Sequence, residues 1–239
     1  MTSTPVYASR VDQRFGFCLF VPDDLGPGRA PLVVVQHGTD RDFMHDRDHL
    51  QSFAEEHRVV LLAPLFPAGI IEPGDLDGYK FIDFHGIRFD QVLLAIVDEV
   101  AERWPVDVAR FYLHGFSGGG QFAHRFLYLH PDRLAGVSIG APGRITRLDD
   151  TLPWWTGTQD WEERFGRPID LDAVRRVPVL MVVGDRDIPR VDGLRALQRS
   201  FEAHGIGVRL EIVPGVGHHG ESILAPVRDF LAGLIARES

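Results

Sequence analysis

The sequence has very little cysteine, with Cys18 alone among 239 residues. A single cysteine excludes an intramolecular disulfide framework and a cluster of metal-binding thiolates. The fold must therefore be stabilised by a hydrophobic core, which a chain of this length can form without disulfide bonds or a structural metal ion. Cys18 itself lies within an apolar run and is expected to pack in that core.

Long apolar runs and a surplus of basic residues are also missing. The longest apolar stretches, 31–36 and 59–66, are the size of strands and fall far short of the ~20 residues of a membrane-spanning helix. Lys and Arg number 25 against 34 Asp and Glu, a net charge of −9, which argues against binding to nucleic acid or anionic membranes. The N-terminus lacks the basic start and apolar run of a secretory signal. We therefore expect a cytoplasmic protein without nucleic-acid or membrane partners, with a homodimer left open.

Short apolar runs alternate with helix-period segments along the whole chain. The runs are rich in Val, Ile, Leu and Phe, as in strands buried on both faces: 15–21, 32–36, 59–63, 110–114, 134–139, 179–183 and 208–213. The segments between them have apolar residues at three- and four-residue spacing: 46–57, 89–104, 118–129, 194–204 and 223–236. This alternation predicts a single α/β domain over residues 1–239, with a mostly parallel sheet flanked by helices.

Two long segments interrupt the alternation. Residues 67–88 are rich in Gly, Pro, Asp and aromatic residues, and residues 142–172 contain Trp154, Trp155 and Trp161. Long excursions in compact domains commonly serve as lids or binding loops, and both should leave the carboxyl ends of strands, where α/β sheets bind ligands. We expect 142–172 to form a lid whose tryptophans contact substrate. If those rings pack in the core, the substrate pocket is expected in 67–88, with the candidates Tyr79, Phe81, Phe84 and His85.

The most informative motif is RFYLHGFSGGGQ at residues 110–121. A predicted strand ends at His114, a glycine-rich turn follows, and a predicted helix begins. In such a turn the serine, Ser117, has a strained backbone, and its small neighbours let the turn pack tightly. The hydroxyl is then exposed at a helix N-terminus, whose free N–H groups stabilise negative charge. The motif predicts a nucleophilic serine, against the alternative of a glycine-rich helix start capped by serine.

A serine hydroxyl is a poor nucleophile at neutral pH and needs a base that is oriented by an acid. The run 179–183 is followed by Asp185 and Asp187, and the run 208–213 is followed by His218 and His219. These loops should meet at the sheet edge that also holds the serine. On position alone, either aspartate and either histidine could complete the site.

With nucleophile, acid and histidine in this order, nearly the whole chain resembles the α/β-hydrolase superfamily. The Gly-Phe-Ser-Gly-Gly turn and a His-Gly-Thr loop look most like polyhydroxybutyrate-depolymerase-like and feruloyl-esterase-like members. The resemblance implies a serine esterase that cleaves small carboxylic esters through an acyl-enzyme intermediate. The family's Gly-x-x-Asp pattern favours Asp187 over Asp185, and its glycine-rich turn before the base favours His218 over His219.

The resemblance also implies an oxyanion hole. In this family the residue after a His-Gly pair donates its backbone N–H, which here is Thr39, and the residue after the nucleophile, Gly118, donates the other. His37 of the pair is expected to be a buried structural histidine rather than the base. Phe116, beside the serine, joins the three tryptophans as a candidate for substrate contact.

A cluster of acidic residues and histidines between residues 40 and 49 suggests a second interpretation, a metal-dependent hydrolase. His45 and His49 are four residues apart and could face the same way on a helix. The glutamate of a His-Glu-x-x-His helix is missing, however, and so is the histidine order of metallo-β-lactamases. A solvated, charge-rich loop explains the cluster better, so neither a metal nor an organic cofactor is expected.

Other functions stay open at this level. The same scaffold serves peptidases, thioesterases and lactonases, and fold alone does not choose among them. A non-catalytic binder on a hydrolase scaffold is the remaining alternative, although all three positions of the predicted triad are filled.

Overall fold

The structure, a computed structural model, describes residues 2–238. The strands are β1 (Thr2–Ser3), β2 (Tyr7–Ala8), β3 (Gly16–Val21), β4 (Ala30–Gln36), β5 (Val60–Leu65), β6 (Asp83–Phe84), β7 (Ile87–Arg88), β8 (Val106–Phe116), β9 (Leu134–Gly140), β10 (Val179–Gly184) and β11 (Arg209–Val213). The helices are α1 (Phe43–Asp48), α2 (Gln51–His57), α3 (Phe89–Arg103), α4 (Gly118–Leu129), α5 (Trp161–Phe165), α6 (Leu171–Arg176), α7 (Ile188–Ala203) and α8 (Leu224–Glu238). Short 3₁₀ turns span Gly78–Phe81, Pro131–Arg133 and Glu221–Ile223.

One large sheet runs through the molecule in the order β1-β3-β5-β4-β8-β9-β10-β11, with β2 paired to β3. Strands β5, β4, β8, β9, β10 and β11 are parallel to one another, and β1, β2 and β3 form antiparallel pairs at one edge. Strands β6 and β7 form a separate antiparallel pair. The chain therefore has the predicted mostly parallel α/β sheet. Because β4, β8, β10 and β11 run the same way, the loops that follow them meet at one edge.

Helices cover both faces of the sheet. Alternate residues of the central strands enter opposite cores. Val34 of β4 belongs to the core that includes residues of α3, α4 and α7, whereas Val33 belongs to the core that includes residues of α2 and α8. Such strands are buried on both faces, which is why they read as continuous apolar runs in the sequence. Cys18 is fully buried, as expected, between the α1 residue Phe43 and Ala63 of β5.

The predicted elements are present, but several bounds differ. Helix α7 begins at Ile188, six residues before the predicted start. The predicted helix 46–57 is two helices, because the chain makes a turn at His49 and Leu50 and buries Leu50 against the sheet. Strand β8 begins at Val106, four residues before the predicted start. Its first half alternates with exposed polar residues, so the apolar pattern did not reveal it. Among the described residues, no helix combines the length and the apolar character that crossing a membrane requires.

Candidate active site

Ser117 lies at the sharp turn between β8 and α4. Its backbone has φ 55° and ψ −112°, a left-handed conformation that costs free energy in a non-glycine residue. The turn is held by a hydrogen bond of 2.8 Å from the Ser117 N–H to the carbonyl oxygen of Gly140. A Cβ atom on Gly115 would collide with the backbone of Gly119, and one on Gly119 would collide with the carbonyl oxygen of Gln36. The flanking glycines are therefore required by close backbone packing.

Loops after β10 and β11 bring an acid and a base to this serine. Nε2 of His218 lies 2.9 Å from Oγ of Ser117, and Nδ1 of the same ring lies 2.5 Å from Oδ2 of Asp187. The Asp187 side chain is 8% exposed, whereas His218 is 37% exposed. The chain thus forms a continuous Ser–His–Asp hydrogen-bonded array that opens to solvent at its serine end.

The two neighbouring candidates have other positions. Oδ1 of Asp185 accepts a hydrogen bond of 2.7 Å from the backbone N–H of Gly215, so this carboxylate ties the β10 loop to the β11 loop. His219 follows His218 and lines the cavity in front of the serine. The structure brings Asp187 and His218, rather than these two residues, into the array with Ser117.

The Gly38–Thr39 loop lies against the serine turn. A Cβ on Gly38 would come within 3.9 Å of Ser117 Cβ, and one on Gly118 would come within 3.1 Å of Thr39 Oγ1. Within residues 2–238 the structure records no hydrogen bond from the backbone N–H of Thr39 or from that of Gly118. Two backbone donors therefore lie close to the serine without a partner among these residues.

The buried side chain of His37 holds the Gly38–Thr39 loop in place. Its Nδ1 donates to the carbonyl oxygen of Gly38 at 2.7 Å, and its Nε2 accepts from the backbone N–H of Phe66 at 3.0 Å. Complete burial lowers the pKa of His37 to about 3, so the ring is neutral and these partners define its tautomer. Since the peptide bond is trans, holding the Gly38 carbonyl oxygen on one side directs the Thr39 N–H to the other.

Three further side chains that the sequence did not assign to this loop also hold it. The Tyr79 hydroxyl donates to the carbonyl oxygen of His37 at 3.1 Å, and Lys80 Nζ donates to Thr39 Oγ1 at 2.7 Å. The Arg41 guanidinium donates to the carbonyl oxygens of Thr39, Phe66 and Leu76. Tyr79 was a candidate for the substrate pocket, but its ring is buried and its hydroxyl holds the 37–39 loop. No sequence motif marks such contacts, because they join segments far apart in the chain.

A cavity of about 700 Å³ opens in front of Ser117. Phe116 forms part of its wall, and the Phe116 ring lies 4.7 Å from the His218 ring, centre to centre. The other wall residues are Gly38, Thr39, Asp40, Arg41, Asp42, His45, Asp46, His49, Ala68, Leu76, His219, Gly220 and Glu221. Ala68 and Leu76 belong to the excursion 67–88, the alternative location that the sequence offered for the substrate pocket.

The tryptophans of the excursion 142–172 are not among these wall residues, and the expected lid is not confirmed. Trp161 is 3% exposed and packs with Trp154 and Phe165, at ring distances of 5.5 and 4.4 Å. Trp155 lies against Phe81, with the ring centres 5.6 Å apart. The rings bury one another and the excursion against the domain core, because large apolar surfaces are more stable there than in an open loop.

Part of the cavity wall is acidic. Asp40, Asp42 and Asp46 all line it, and burial together with the charges of the other two raises the pKa of Asp46 to about 7. The guanidinium of Arg41 is directed to backbone carbonyl oxygens rather than to these carboxylates. The wall therefore favours neutral or positively charged groups over anions.

Several known proteins that are similar to this chain are hydrolases. No family model matches the sequence. A bifunctional acetylxylan esterase/xylanase, XynS20E from Neocallimastix patriciarum, is 25% identical over 122 residues, which cover 50% of this chain and 17% of that protein. The chain thus matches less than a fifth of that relative's length.

Solved structures match over nearly the whole chain. Poly(aspartic acid) hydrolase-1 from Sphingomonas sp. KT-1 has a TM-score of 0.74 at 20% identity, covering 90% of this chain and 92% of that one. LpqC, a poly(3-hydroxybutyrate) depolymerase from Bordetella parapertussis, has a TM-score of 0.71 at 25% identity, covering 94% and 88%. Ferulic acid esterases share the same fold. The predicted resemblance to α/β-hydrolase esterases is confirmed, and the chain has their fold.

Proposed function

We propose that the protein is a serine hydrolase that cleaves small carboxylic esters. The observation that carries the proposal is the array in which Ser117 Oγ, the His218 ring and the Asp187 carboxylate are joined by contacts of 2.9 and 2.5 Å. The names of the relative and of several structural neighbours, which include esterases and a depolymerase, support ester bonds as the target.

In the proposed reaction, His218 Nε2 accepts the proton of Ser117 as the serine oxygen attacks the ester carbonyl. The resulting tetrahedral intermediate collapses when His218 returns the proton to the leaving alcohol, and an acyl-enzyme remains on the serine. Water, deprotonated by the same imidazole, then releases the carboxylic acid. Asp187 holds the ring in the tautomer that leaves Nε2 free to accept, and it stabilises the imidazolium that forms.

The backbone N–H groups of Thr39 and Gly118 are the proposed oxyanion donors. Gly118 begins α4, so its N–H lies at the positive end of that helix dipole. The loop that carries the Thr39 N–H is held before reaction by His37, Tyr79 and Lys80. Fixed donors stabilise charge that develops on the carbonyl oxygen without any reorganisation at the moment of reaction. Losing one such donor typically costs about 3–4 kcal/mol of barrier.

We further propose that residues 1–239 act as one catalytic domain, and that the wall formed by Phe116, Ala68 and Leu76 contacts the substrate. These side chains offer apolar surface to an acyl or alcohol group, while the acidic wall disfavours anionic esters.

A test uses purified protein, a fluorophosphonate probe and a panel of chromogenic esters of rising acyl length, run beside thioesters, lactones and peptides. We expect labelling of Ser117 alone, turnover of esters, and loss of both in Ser117→Ala. Labelling at Ser138 or Ser222, or full activity in the alanine variant, would exclude the proposed nucleophile. If the protein hydrolyses thioesters, lactones or peptides but not esters, the proposed triad would stand and the proposed substrate class would be wrong.

A further inference from the structure

His45, His49 and Glu221 form a cluster in the wall of the cavity, outside the proposed triad. Nε2 of His45 lies 2.8 Å from Nε2 of His49, and Nε2 of His49 lies 3.3 Å from Oε2 of Glu221. One ligand atom from each side chain lies within 4.8 Å of those of the other two. The sequence showed the histidine pair, but the glutamate comes from a 3₁₀ turn far along the chain.

The backbone holds the three residues in place. His45 lies in α1, and the His49 N–H donates to the His45 carbonyl oxygen at 3.1 Å, so the two rings share one helical face. Arg228 of α8 donates to the carbonyl oxygen of His49 at 2.5 Å. Glu221 begins the turn that leads into α8, so the same packing of α8 against the α1 region positions both sides of the cluster.

The distances suit a tetrahedral metal ion. With bonds of about 2.0–2.1 Å, two ligands of such an ion lie about 3.3 Å apart. The His49–Glu221 distance has this value already, and the His45–His49 distance needs to open by about 0.5 Å, which a rotation of the exposed His45 ring can supply. Two imidazole nitrogens and one carboxylate oxygen favour Zn²⁺ and its transition-metal neighbours over Mg²⁺ or Ca²⁺.

A second observation points to a ligand at the same place. The Gln36 side chain is 1% exposed, and neither its Nε2 nor its Oε1 has a hydrogen-bond partner among the described residues. It lines a small cavity of about 20 Å³ together with Asp46, His49 and Glu221. Such a space admits one water, and a water bound to an ion at the cluster would give this buried amide a partner.

From these contacts we propose that His45, His49 and Glu221 bind one divalent transition-metal ion of the Zn²⁺ class in the wall of the cavity. Three protein ligands leave a fourth position for a water or for an oxygen of a molecule in the cavity. The nearby carboxylates of Asp40 and Asp42 add a favourable field for a cation. The site stands apart from Ser117, His218 and Asp187 and does not depend on the proposed ester hydrolysis.

The test measures metal binding directly, on protein that carries no polyhistidine tag. The protein is stripped with a chelator and titrated with Zn²⁺ in competition with a chromogenic chelator, and with Co²⁺ followed by its visible absorption. We expect one ion per chain and the intense bands of a tetrahedral Co²⁺ centre. His45→Ala, His49→Ala and Glu221→Gln should each weaken binding at least tenfold, while His219→Ala, in the same cavity, stays within twofold.

Two results would overturn the proposal: no saturable uptake by the unsubstituted protein, or the same affinity in the three ligand variants. His45 is exposed, so His45→Ala remains informative even if His49→Ala fails to fold. Ester turnover is not used as a readout, so an inactive protein that binds one Zn²⁺ would refute the proposed function and leave the metal site standing.

Discussion

Asp187 and His218 come from loops after two adjacent parallel strands, and their side chains meet at 2.5 Å between Oδ2 and Nδ1. Asp187 also precedes α7, and its buried carboxylate faces the ring rather than the helix N-terminus. A buried carboxylate bonded to Nδ1 leaves Nε2 as the acceptor toward Ser117. This contact distinguishes Asp187 from Asp185 and His218 from His219, the alternatives that the sequence left open.

The first prediction compares these neighbours. Asp187→Asn should lower kcat by roughly 10³- to 10⁴-fold, because an amide that donates to Nδ1 stabilises the wrong tautomer. His218→Ala should abolish turnover, whereas His219→Ala should reduce kcat by less than about tenfold. The measurement is steady-state kinetics on one chromogenic ester, with circular dichroism to verify folding. Equal losses in the two histidine variants would argue against the assignment.

The second prediction concerns the Gly38–Thr39 peptide. His37→Leu removes the donor to the Gly38 carbonyl oxygen and the acceptor for the Phe66 N–H, so the Thr39 N–H loses its fixed direction. We expect kcat to fall about 10- to 100-fold, less than for complete loss of an oxyanion donor, with KM nearly unchanged.

His37→Asn is the matched control, because its amide can still donate to the Gly38 carbonyl oxygen and should restore part of kcat. A rise in KM with normal kcat would mean that the loop shapes substrate binding rather than the oxyanion donors. The shape of the pH–rate profile should be the same in both variants, since His37 does not transfer the proton.

These predictions also show which parts of the site the sequence could reveal. The Ser117 turn, the acid and the base each follow a buried strand, and parallel strands of one sheet end at one edge, so local motifs sufficed to bring them together. The supporting contacts of Arg41, Tyr79 and Lys80 could not be predicted, because no motif marks a bond between segments distant in sequence. Tyr79 and Lys80 reach back about 40 residues to the loop at 37–39, and Arg41 reaches forward to the carbonyl oxygens of Phe66 and Leu76. The sequence could not assign a position to the tryptophans for a related reason: aromatic residues in a long loop are equally suited to a binding wall and to a small core of their own.

The third prediction concerns that small core. Trp161→Ala should lower the free energy of unfolding by about 3–5 kcal/mol, because it leaves a cavity among Trp154, Phe165 and Tyr128. Activity at low temperature should fall by one common factor for all esters of an acyl series. Urea unfolding measures the loss of stability, and kcat/KM across the acyl series measures the loss of activity. A loss of kcat/KM for one acyl length alone would indicate that the tryptophan segment contributes to substrate specificity.

The fourth prediction is a loss of stability in mild acid. Burial lowers the pKa of His37 to about 3 and of His114 to about 4, and it holds the pKa of His124 well below its ordinary value. In the unfolded chain these histidines take up protons below pH ~6.5, so the unfolded state binds more protons. Stability is therefore complete above that pH and is lost as the pH falls from about 6.5 toward 4.

Each of these histidines contributes a slope of about 1.4 kcal/mol per pH unit below its unfolded pKa. Urea unfolding at a series of pH values between 7.5 and 5 measures the total slope, and His114→Gln should reduce it by about a third. The Asp90 carboxylate is desolvated, but its hydrogen bonds to His130 and Arg88 outweigh that effect and lower its pKa to about 2, so its own contribution is lost only at more acidic pH. A stability that stays flat between pH 6.5 and 5 would contradict the buried neutral histidines.

The last prediction tests the cavity wall in the excursion 67–88. Ala68 is exposed on the wall in front of Ser117, so Ala68→Trp should fold normally and narrow the cavity. We expect kcat/KM to fall roughly 10- to 200-fold for the bulkiest esters and to change little for acetate esters, since one apolar contact or clash is worth about 1–3 kcal/mol. Leu76→Ala, on the same wall, is the opposite change and should favour the bulky esters relative to acetate. Measuring kcat/KM over the acyl series with both variants separates size exclusion from general damage to the enzyme. If kcat/KM changes by the same factor for every ester, the substrate binds along another wall, and the next substitution would narrow the cavity on its Phe116 side.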